Sequence, residues 1–339
     1  MRNILITGGC GFIGRHLVKR LLHEKNNYKI SVIDNNLLNS KNNNYFQEHN
    51  DRVVNRYNTK CISKDIGNQI SFYKADIRKK DSILKIFHNQ KIDTCVHLAA
   101  KISVDDSLIN PYETIDTNVK GTLNMLEACS SNNVKNFVFA SSAAVYGKPK
   151  CLPISEDCFA IDVLSPYGAS KIAGEALVSS YSNLKKIQRT VSLRFFNVYG
   201  ENQSDEYAGV ITKFAVRLSR GLPPIIYGDG KQTRDFIFVD DVVDAIIRSA
   251  EPSEDILSSN TFNVGTGTPT RIDHLAKSMI RIFGLQLQPI YRKGKKGDVF
   301  DSYADITRSE KILKFTAHNH LDEGLREIIK SRIFKVSEK

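Results

Sequence analysis

Apolar positions along this chain alternate between short continuous runs and longer helical stripes. Ile4, Leu5 and Ile6 form the first run; Gly8, Gly9, Gly11 and Gly14 follow; Leu17, Val18, Leu21 and Leu22 then recur at helical spacing. That predicts strand, glycine turn and helix. A second run, Ile30 to Ile33, ends in Asp34, and a third, Ile70 to Tyr73, ends near Asp76 and Ile77. Asp81 is placed to cap the helix after it. The run Ile92 to Leu98 leads into Ala99 and Ala100, and a helix is predicted from Pro111 to Ser131 with Ile115, Val119, Leu123, Leu126 and Ala128 on its apolar side. Val134 to Ala140 predicts the next strand, ending in Ser141 and Ser142, and Ser165 to Tyr181 carries a further helix. Between Asn35 and Asn68 the pattern fails: the tract is rich in Asn and Lys and predicts a long loop with a short helix.

Strands alternating with helices at this spacing predict a parallel sheet with crossover helices on both faces. Ligands in such sheets bind beyond the carboxyl ends of the strands, where the glycine turn, Asp34, Asp76, Ala99, Ala100 and Ser142 all fall. The fold class expected is therefore α/β, a Rossmann-type doubly wound parallel sheet at residues 1–190. A smaller mixed α/β domain is expected at 191–339, with some strands returning to the first.

The turn fits G-x-G-x-x-G through Gly9, Gly11 and Gly14, and G-x-x-G-x-x-G through Gly8, Gly11 and Gly14. Glycine suits a place where the backbone turns sharply, nears a pyrophosphate and packs a helix on a strand, and the helix N-terminus presents unpaired N–H groups to phosphate. Asp34 follows Gly14 by twenty positions and can accept both ribose hydroxyls of adenosine. It also repels a 2'-phosphate, which favours NAD over NADP. The stretch opening the polar tract, with Asn35, Asn39 and Ser40, is placed to close over the adenosine side. Asp76 can accept from the adenine amino group. Asn118, among apolar neighbours within its helix, either ties helix to strand or reaches the cofactor's edge.

Composition narrows the classes little. Of the 339 residues 41% are hydrophobic and 25% charged, ordinary for a soluble globular protein. The formal charge of +11 admits nucleic acid, but the densest basic cluster, Arg292 to Lys296, is short and suits an anionic small molecule equally. No apolar run approaches the ~20 residues of a membrane span, and the first strand begins at Asn3, leaving no room for a leader ahead of it. Cys10, Cys61, Cys95, Cys129, Cys151 and Cys158 show no C-x-x-C spacing and are expected as buried thiols in a reducing cytoplasm. No metal site is expected.

The chemistry concentrates in SPYGASKIAGEALVSSY, Ser165 to Tyr181. Tyr167 and Lys171 are four apart, on one helix face and one turn from each other. A phenol titrating near 10 is a poor base at neutral pH, but a nearby ammonium and a cationic nicotinamide favour phenolate. Ser142 can hydrogen-bond the same substrate hydroxyl and steer its proton to Tyr167.

These residues carry a resemblance. TGGCGFIG from Thr7, HLAA from His97, NVKGT from Asn118, SSAAVYG from Ser141 and YGASK from Tyr167 are followed by LRFFNVYG from Leu193, GDGKQTRDFIFVDD from Gly228, FNVGTG from Phe262 and GDVFDSYAD from Gly297. In that order, nearly end to end, the chain resembles the extended short-chain dehydrogenase/reductase family and, within it, the NAD-dependent nucleotide-sugar epimerases. The resemblance implies a tightly held NAD that is recycled while a UDP-hexose passes through a 4-keto intermediate, with Tyr167 as base and Ser142 and Lys171 beside it. It places Phe12, Ile13, Leu98, Ser141 and Phe196 with the glycines, Asp34, Ile77, Ala99, Ala100 and Asn118 on the cofactor. On the sugar nucleotide it places Ser103, Asn197, Val210, Ile211, Ile225, Tyr227, Gln232, Arg234, Arg292, Lys295, Asp298 and Ser302.

Departures from the family pattern narrow the reaction. Sugar 4,6-dehydratases carry an acidic pair directly after the strand-end hydroxyl, where this chain has Ala143 and Ala144. The position usually held by an arginine of the diphosphate site is Lys295, with Arg292 three residues earlier, so either can make that contact. A small residue, Ser302, stands where an aromatic goes with non-acetylated sugars, which implies room for UDP-N-acetylglucosamine unless Tyr303 fills the space. UDP-glucuronate 4-epimerisation is the alternative within the class, against which Asn197 stands where those enzymes carry threonine. A non-catalytic NAD-binding regulator or RNA-associated protein is the alternative of another class. The resemblance also implies a homodimer through a four-helix bundle of the helices at Pro111 to Ser131 and Pro166 to Ser182.

Overall fold

The structure is a computed structural model that describes residues 2–23, 28–35, 70–158, 162–203, 209–251, 259–294 and 299–337, with side chains as far as 330. The chain divides into two compact units, one of Met1–Ser142, Ser165–Leu193 and Ile246–Thr261, the other of Ala143–Leu164, Arg194–Ala245 and Phe262–Lys339.

In chain order the first elements are β1 (Arg2–Thr7), α1 (Phe12–His23), β2 (Tyr28–Asp34), β3 (Ile70–Lys74), α2 (Lys80–His88) and β4 (Thr94–His97). Then come α3 (Val104–Ile109), α4 (Pro111–Ile115), a π-helical turn (Asp116–Lys120), α5 (Gly121–Ser131), β5 (Asn136–Ser142), a 3-10 turn (Ala143–Tyr146), α6 (Pro166–Asn183) and β6 (Arg189–Phe195). With β10 (Ser259–Val264), six of these strands make a seven-stranded sheet in the order β10-β6-β5-β4-β1-β2-β3, and β1 pairs in parallel with β2 and β4, β2 with β3, and β4 with β5. The order turns back at β1, so β1 and β4 leave a crevice at their carboxyl ends. Ile4, Leu5, Ile6, Ile30, Val32, Ile33, Cys95 and Val96 are all buried, as strands covered on both faces require.

Three expectations change here. Helix α2 starts two residues early: the Lys79 carbonyl already accepts from Ser82 N and Ile83 N, so Lys79 is the cap residue and Asp81 lies inside the first turn. Asp81 still faces the positive end of the helix dipole. The helical stretch from Pro111 to Ser131 exists, but Ile115 and Leu123 are exposed, while Thr114, Asn118, Thr122, Met125 and Leu126 face inward. The π turn rotates the inward face, and polar side chains occupy it because each finds a partner. Among the cysteines, Cys95 and Cys129 are buried free thiols and Cys10 is a half-buried one, but Cys151 and Cys158 form a disulfide with Cα atoms 6.7 Å apart, as a bridge requires. Cys61, Asn39, Ser40 and the rest of the polar tract after Asn35 lie outside the described residues.

The second unit holds β7 (Asn197–Tyr199), α7 (Val210–Leu218), β8 (Ile225–Tyr227), β9 (Thr233–Phe238), β11 (Pro269–Arg271), α9 (Ile272–Ile282), β12 (Ile290–Arg292), β13 (Asp301–Ser302), α10 (Thr307–Lys311) and α11 (Leu321–Ser337); α8 (Val239–Ala250) follows β9 and ends in the first unit. Its sheet is mixed: β9 pairs antiparallel with β11 and parallel with β7 and β13. Fully buried Asp235 fastens these segments, since its carboxylate accepts from Thr266 N (2.8 Å), Thr266 Oγ1 (2.7 Å), Gly267 N (2.9 Å) and Ala304 N (3.1 Å). A separate parallel pair joins β12 to β8.

Candidate active site

The turn between β1 and α1 is built by exclusion. Gly8 has φ +70°, and a Cβ there would meet Ala99 N at 2.8 Å; one on Gly14 would meet the Gly8 carbonyl and Gly9 Cα, the latter at 2.6 Å. Gly11 differs: a Cβ would meet only the Gly8 carbonyl, at 3.1 Å. Its outer side is therefore open for a ligand to approach the backbone. Cys10 N donates to the Asp34 carboxylate at 3.0 Å, so the end of β2 is tied to this turn. A cradle that close-packs on the protein side, stays open on the other and has a carboxylate at the next strand end fits a dinucleotide. Phe12 and Ile13 open α1 beside it, and Asn35 follows Asp34 at the surface.

The residues expected to carry the chemistry lie at the end of β5. Ser142 hydrogen-bonds the Tyr167 phenol, Lys171 Nζ donates to the Ala140 carbonyl (2.7 Å), and Ser141 Oγ donates to Glu175 Oε1 (2.5 Å). Three consecutive strand residues thus hold three side chains of one helix stripe, at i, i+4 and i+8. Tyr167 and Lys171 are buried, and Gly174 lets the helix lie against the Phe139 ring. Burial pushes the Lys171 ammonium down to about 8, which the Glu175 charge opposes. Burial also pushes the Tyr167 phenol up, with the Ser142 hydrogen bond opposing it. The expected ease of forming phenolate is therefore absent from the protein alone: the ammonium bonds a carbonyl and sits 5.8 Å from the Tyr167 ring centroid.

Behind this stripe runs a hydrogen-bonded chain. Ala99 N donates to Thr7 Oγ1 (3.2 Å), Thr7 Oγ1 lies 2.7 Å from His97 Nδ1, His97 Nε2 lies 3.0 Å from Thr122 Oγ1, and Thr122 donates to the Asn118 carbonyl (2.6 Å). Because Thr122 gives its proton to a carbonyl, His97 must carry its proton on Nε2 and accept from Thr7 on Nδ1. The Asn118 amide accepts from Lys101 N (2.7 Å) and donates to Lys101 O (2.9 Å) and Ser170 Oγ (2.9 Å). Of the two roles expected of Asn118, tying the helix down is the one observed: both amide hydrogens go to protein, one of them to Ser170 of α6. His97, Ser170 and Glu175 were not singled out from sequence. Glu175 carries a legible signal, its spacing from Lys171, whereas the histidine chain joins residues far apart in sequence.

Other expected cofactor residues fall around the same strand ends. Leu98, Ala99 and Ala100 are half-buried after β4. Asp76 is held by Arg78 (2.6 Å to Nη2), which keeps its carboxyl below the ordinary range. The Ile77 side chain packs toward Gly121, and its carbonyl accepts from Asn124 Nδ2 (2.9 Å). Ser103 caps α3, accepting from Asp106 N at 3.0 Å.

In the second unit, strand pairing sets Arg234 beside Ser302 and Tyr227 beside Arg292. Arg234 Nη1 donates to the Thr233 carbonyl (2.7 Å), Gln232 Nε2 to the Tyr227 carbonyl (2.7 Å) and Asn197 Nδ2 to the Asp235 carbonyl (3.1 Å). Along β8, Ile225 is half-buried and Tyr227 exposed, while Ile226 between them is buried. Ile211 and Phe196 are buried, and Val210 starts α7. Lys295 and Asp298 lie outside the described residues. Among the described residues no group of three or more His, Cys, Asp or Glu is placed to hold a metal, and no helix is long and apolar enough to cross a membrane.

Comparison with known proteins agrees with this geometry. Residues 4–265 match the family model described as the NAD-dependent epimerase/dehydratase family. A UDP-glucose 4-epimerase of Mycolicibacterium smegmatis is 34% identical, over 96% of each chain. Among solved structures, a UDP-glucose 4-epimerase of Thermotoga maritima, crystallised with UDP-glucose, superposes with a TM-score of 0.84 at 33% identity, covering 99% of this chain and 100% of that one. A UDP-N-acetylglucosamine 4-epimerase of Methanobrevibacter ruminantium, in complex with UDP-N-acetylmuramic acid, gives 0.83 at 31% identity, covering 100% and 99%.

Proposed function

The chain belongs to the NAD-dependent epimerase/dehydratase family, and from that premise we propose that it inverts C4 of UDP-hexoses, UDP-glucose and UDP-galactose first among them. The observation that carries the reading is the grip of β5 on α6, which puts a hydroxyl, a buried phenol and a buried ammonium at the end of a strand two places from β1 and its glycine turn in the sheet.

NAD, when bound, supplies an acceptor and then a donor for the C4 hydride. Gly11, the open end of α1 and Asp34 are the groups that would hold it. The chain's own part is proton handling. Tyr167 takes the proton of the sugar O4 hydroxyl as base and returns it as acid, and Ser142 orients that hydroxyl. Burial works against phenolate and the Ser142 hydrogen bond opposes that; Lys171, buried one helical turn away, is the neighbouring cation and is charged below about pH 8. Ala143 and Ala144 leave no carboxyl group after Ser142 to carry dehydration at C5 and C6.

Ser302 pairs with Arg234 in the sheet register, so a small side chain lies next to the arginine read as a phosphate ligand. That supports acceptance of N-acetylated hexoses as well. A homodimer is part of the proposal: Leu108, Ile109, Tyr112, Ile115 and Leu123 are exposed along α3 to α5, an apolar surface that a second copy would cover. We also propose a cytoplasmic location, on the buried free thiols Cys95 and Cys129; the Cys151–Cys158 bridge argues against it.

Incubation of the purified protein with UDP-galactose, UDP-N-acetylgalactosamine and UDP-glucuronate, separately and without added cofactor, followed by chromatography, tests the reading. A C4 epimer of one or both hexoses is expected. Epimerisation of the glucuronate alone would move the assignment to the carboxylated sugar, and no product from any of the three, with NAD supplied, would overturn it.

A further inference from the structure

The grip of β5 on α6 includes a carboxylate that the chemistry above does not use. Glu175 stands one turn beyond Lys171 and two beyond Tyr167, and Ser141, buried at 3% exposure, fastens it at 2.5 Å. A carboxylate whose oxygen is fixed by a buried hydroxyl is a placed charge rather than a solvated one. Lys171 is the cation nearest to it along the helix stripe.

We propose that Glu175 is a positioning residue of this site: anchored by Ser141 one turn beyond Lys171, its carboxylate is the counter-charge to the buried Lys171 ammonium. The proposal rests on the reading of Tyr167 and Lys171 as the working pair.

The surroundings of Lys171 leave that task to Glu175. From β5 come the Phe139 ring, 5.0 Å from Nζ, and the Ala140 carbonyl, neither of them charged. From β4 comes His97, kept neutral by burial and by the Lys171 charge itself, with its ring nitrogens on Thr7 and Thr122. From α3 the contact is Ser107 Oγ, which accepts from Tyr167 N at 3.2 Å. From α5 the charged group is Glu127, which Tyr181 engages near the far end of α6. In the π turn Asp116 and Lys120 pair with each other at 3.0 Å on the exposed side. On α6 itself stand Tyr167 and Glu175. Burial disfavours the ammonium, and a carboxylate one turn away favours it. Without Glu175 the ammonium would lose its proton at lower pH, and the site would lose the cation one turn from the phenol.

The test replaces charge while keeping shape. Glu175→Gln retains an oxygen to accept from Ser141 but removes the charge, and Glu175→Asp retains the charge. Two readouts are taken across pH 6 to 10: turnover of UDP-galactose, and the titration of Lys171 in the unliganded protein by NMR of lysine labelled with carbon-13 at Cε, with Lys171→Arg assigning the signal. For Glu175→Gln both midpoints should move to lower pH, with turnover at pH 8 down roughly fivefold for a one-unit shift and KM unchanged. Glu175→Asp should restore most of the loss. A Lys171 titration unchanged in Glu175→Gln would overturn the proposal. The titration needs no turnover, so a chain that proves inactive on UDP-hexoses would still decide it. If Glu175→Gln does not fold, Ser141→Ala, which frees the carboxylate, should give a smaller shift in the same direction, and no shift would count against the proposal.

Discussion

Tyr167 is the residue on which the account is most exposed. Removing one oxygen in Tyr167→Phe should cut turnover by roughly 10²–10⁴-fold while leaving NAD bound, because a phenol that moves a proton contributes on that scale. Equal turnover in the variant would remove Tyr167 from the chemistry. Lys171 sets the alkaline limb: its ammonium, pushed down to about 8 by burial, is charged below that pH and neutral above it, so turnover should fall as pH rises through 8. His97 governs acid stability. Burial and the nearby Lys171 push it from 6.5 down to about 3, so between those values the unfolded chain binds a proton that the folded chain does not. Stability is therefore lost as pH falls through that window, by about 1.4 kcal/mol per pH unit. A variant with no titrating group, His97→Gln, should show a flatter decline in thermal midpoint from pH 6.5 to 4, and an equally steep one would contradict the assignment. The spacing of Tyr167 and Lys171 was legible in the sequence because a helix puts i and i+4 on one face. The proton position on His97 was not, because it follows from what Thr122 does with its own hydrogen.

Among the elements, the glycine turn separates folding from binding. A Cβ at Gly14 runs into backbone that cannot move away, so Gly14→Ala should lower the thermal midpoint and reduce bound NAD together. Gly11→Ala meets a single carbonyl at 3.1 Å and should fold with little loss yet hold NAD poorly, because its methyl group points where the ligand would approach. Near-wild-type NAD content in Gly11→Ala would count against that side as the binding face. The strand and helix spans of the first half were readable because continuous apolar runs and 3.6-residue stripes differ plainly there. Along Pro111 to Ser131 the expected stripe holds at Leu126 and Ala128, which are buried, and fails at Ile115 and Leu123 for a physical reason. An apolar stripe signals a buried face only where the core is what covers it, and here Thr114, Asn118 and Thr122 turn inward on side-chain hydrogen bonds while Ile115 and Leu123 stay exposed. The Cys151–Cys158 bridge was equally illegible: a spacing of seven in an irregular loop fixes no distance.

For the molecule as a whole, the apolar surface along α3 to α5 predicts its assembly. Light scattering at micromolar concentration should give a dimer mass for the wild type, and Ile115→Glu, placing a charge on that surface, should shift it toward monomer without unfolding. A dimer that survives Ile115→Glu and Leu108→Arg together would place the interface elsewhere. The residues proposed for the sugar nucleotide come from motifs by resemblance, and the pairing of Arg234 with Ser302 and of Tyr227 with Arg292 came only from strand register. The central claim, that one hydride leaves C4 and returns to it, is tested most directly by UDP-glucose carrying deuterium at C4, with the product examined by mass spectrometry and proton NMR. Retention of the label at C4 of the epimer, with no deuterium lost to water, is the result expected. An epimer that has lost its C4 label, or a label found at another carbon, would contradict the account.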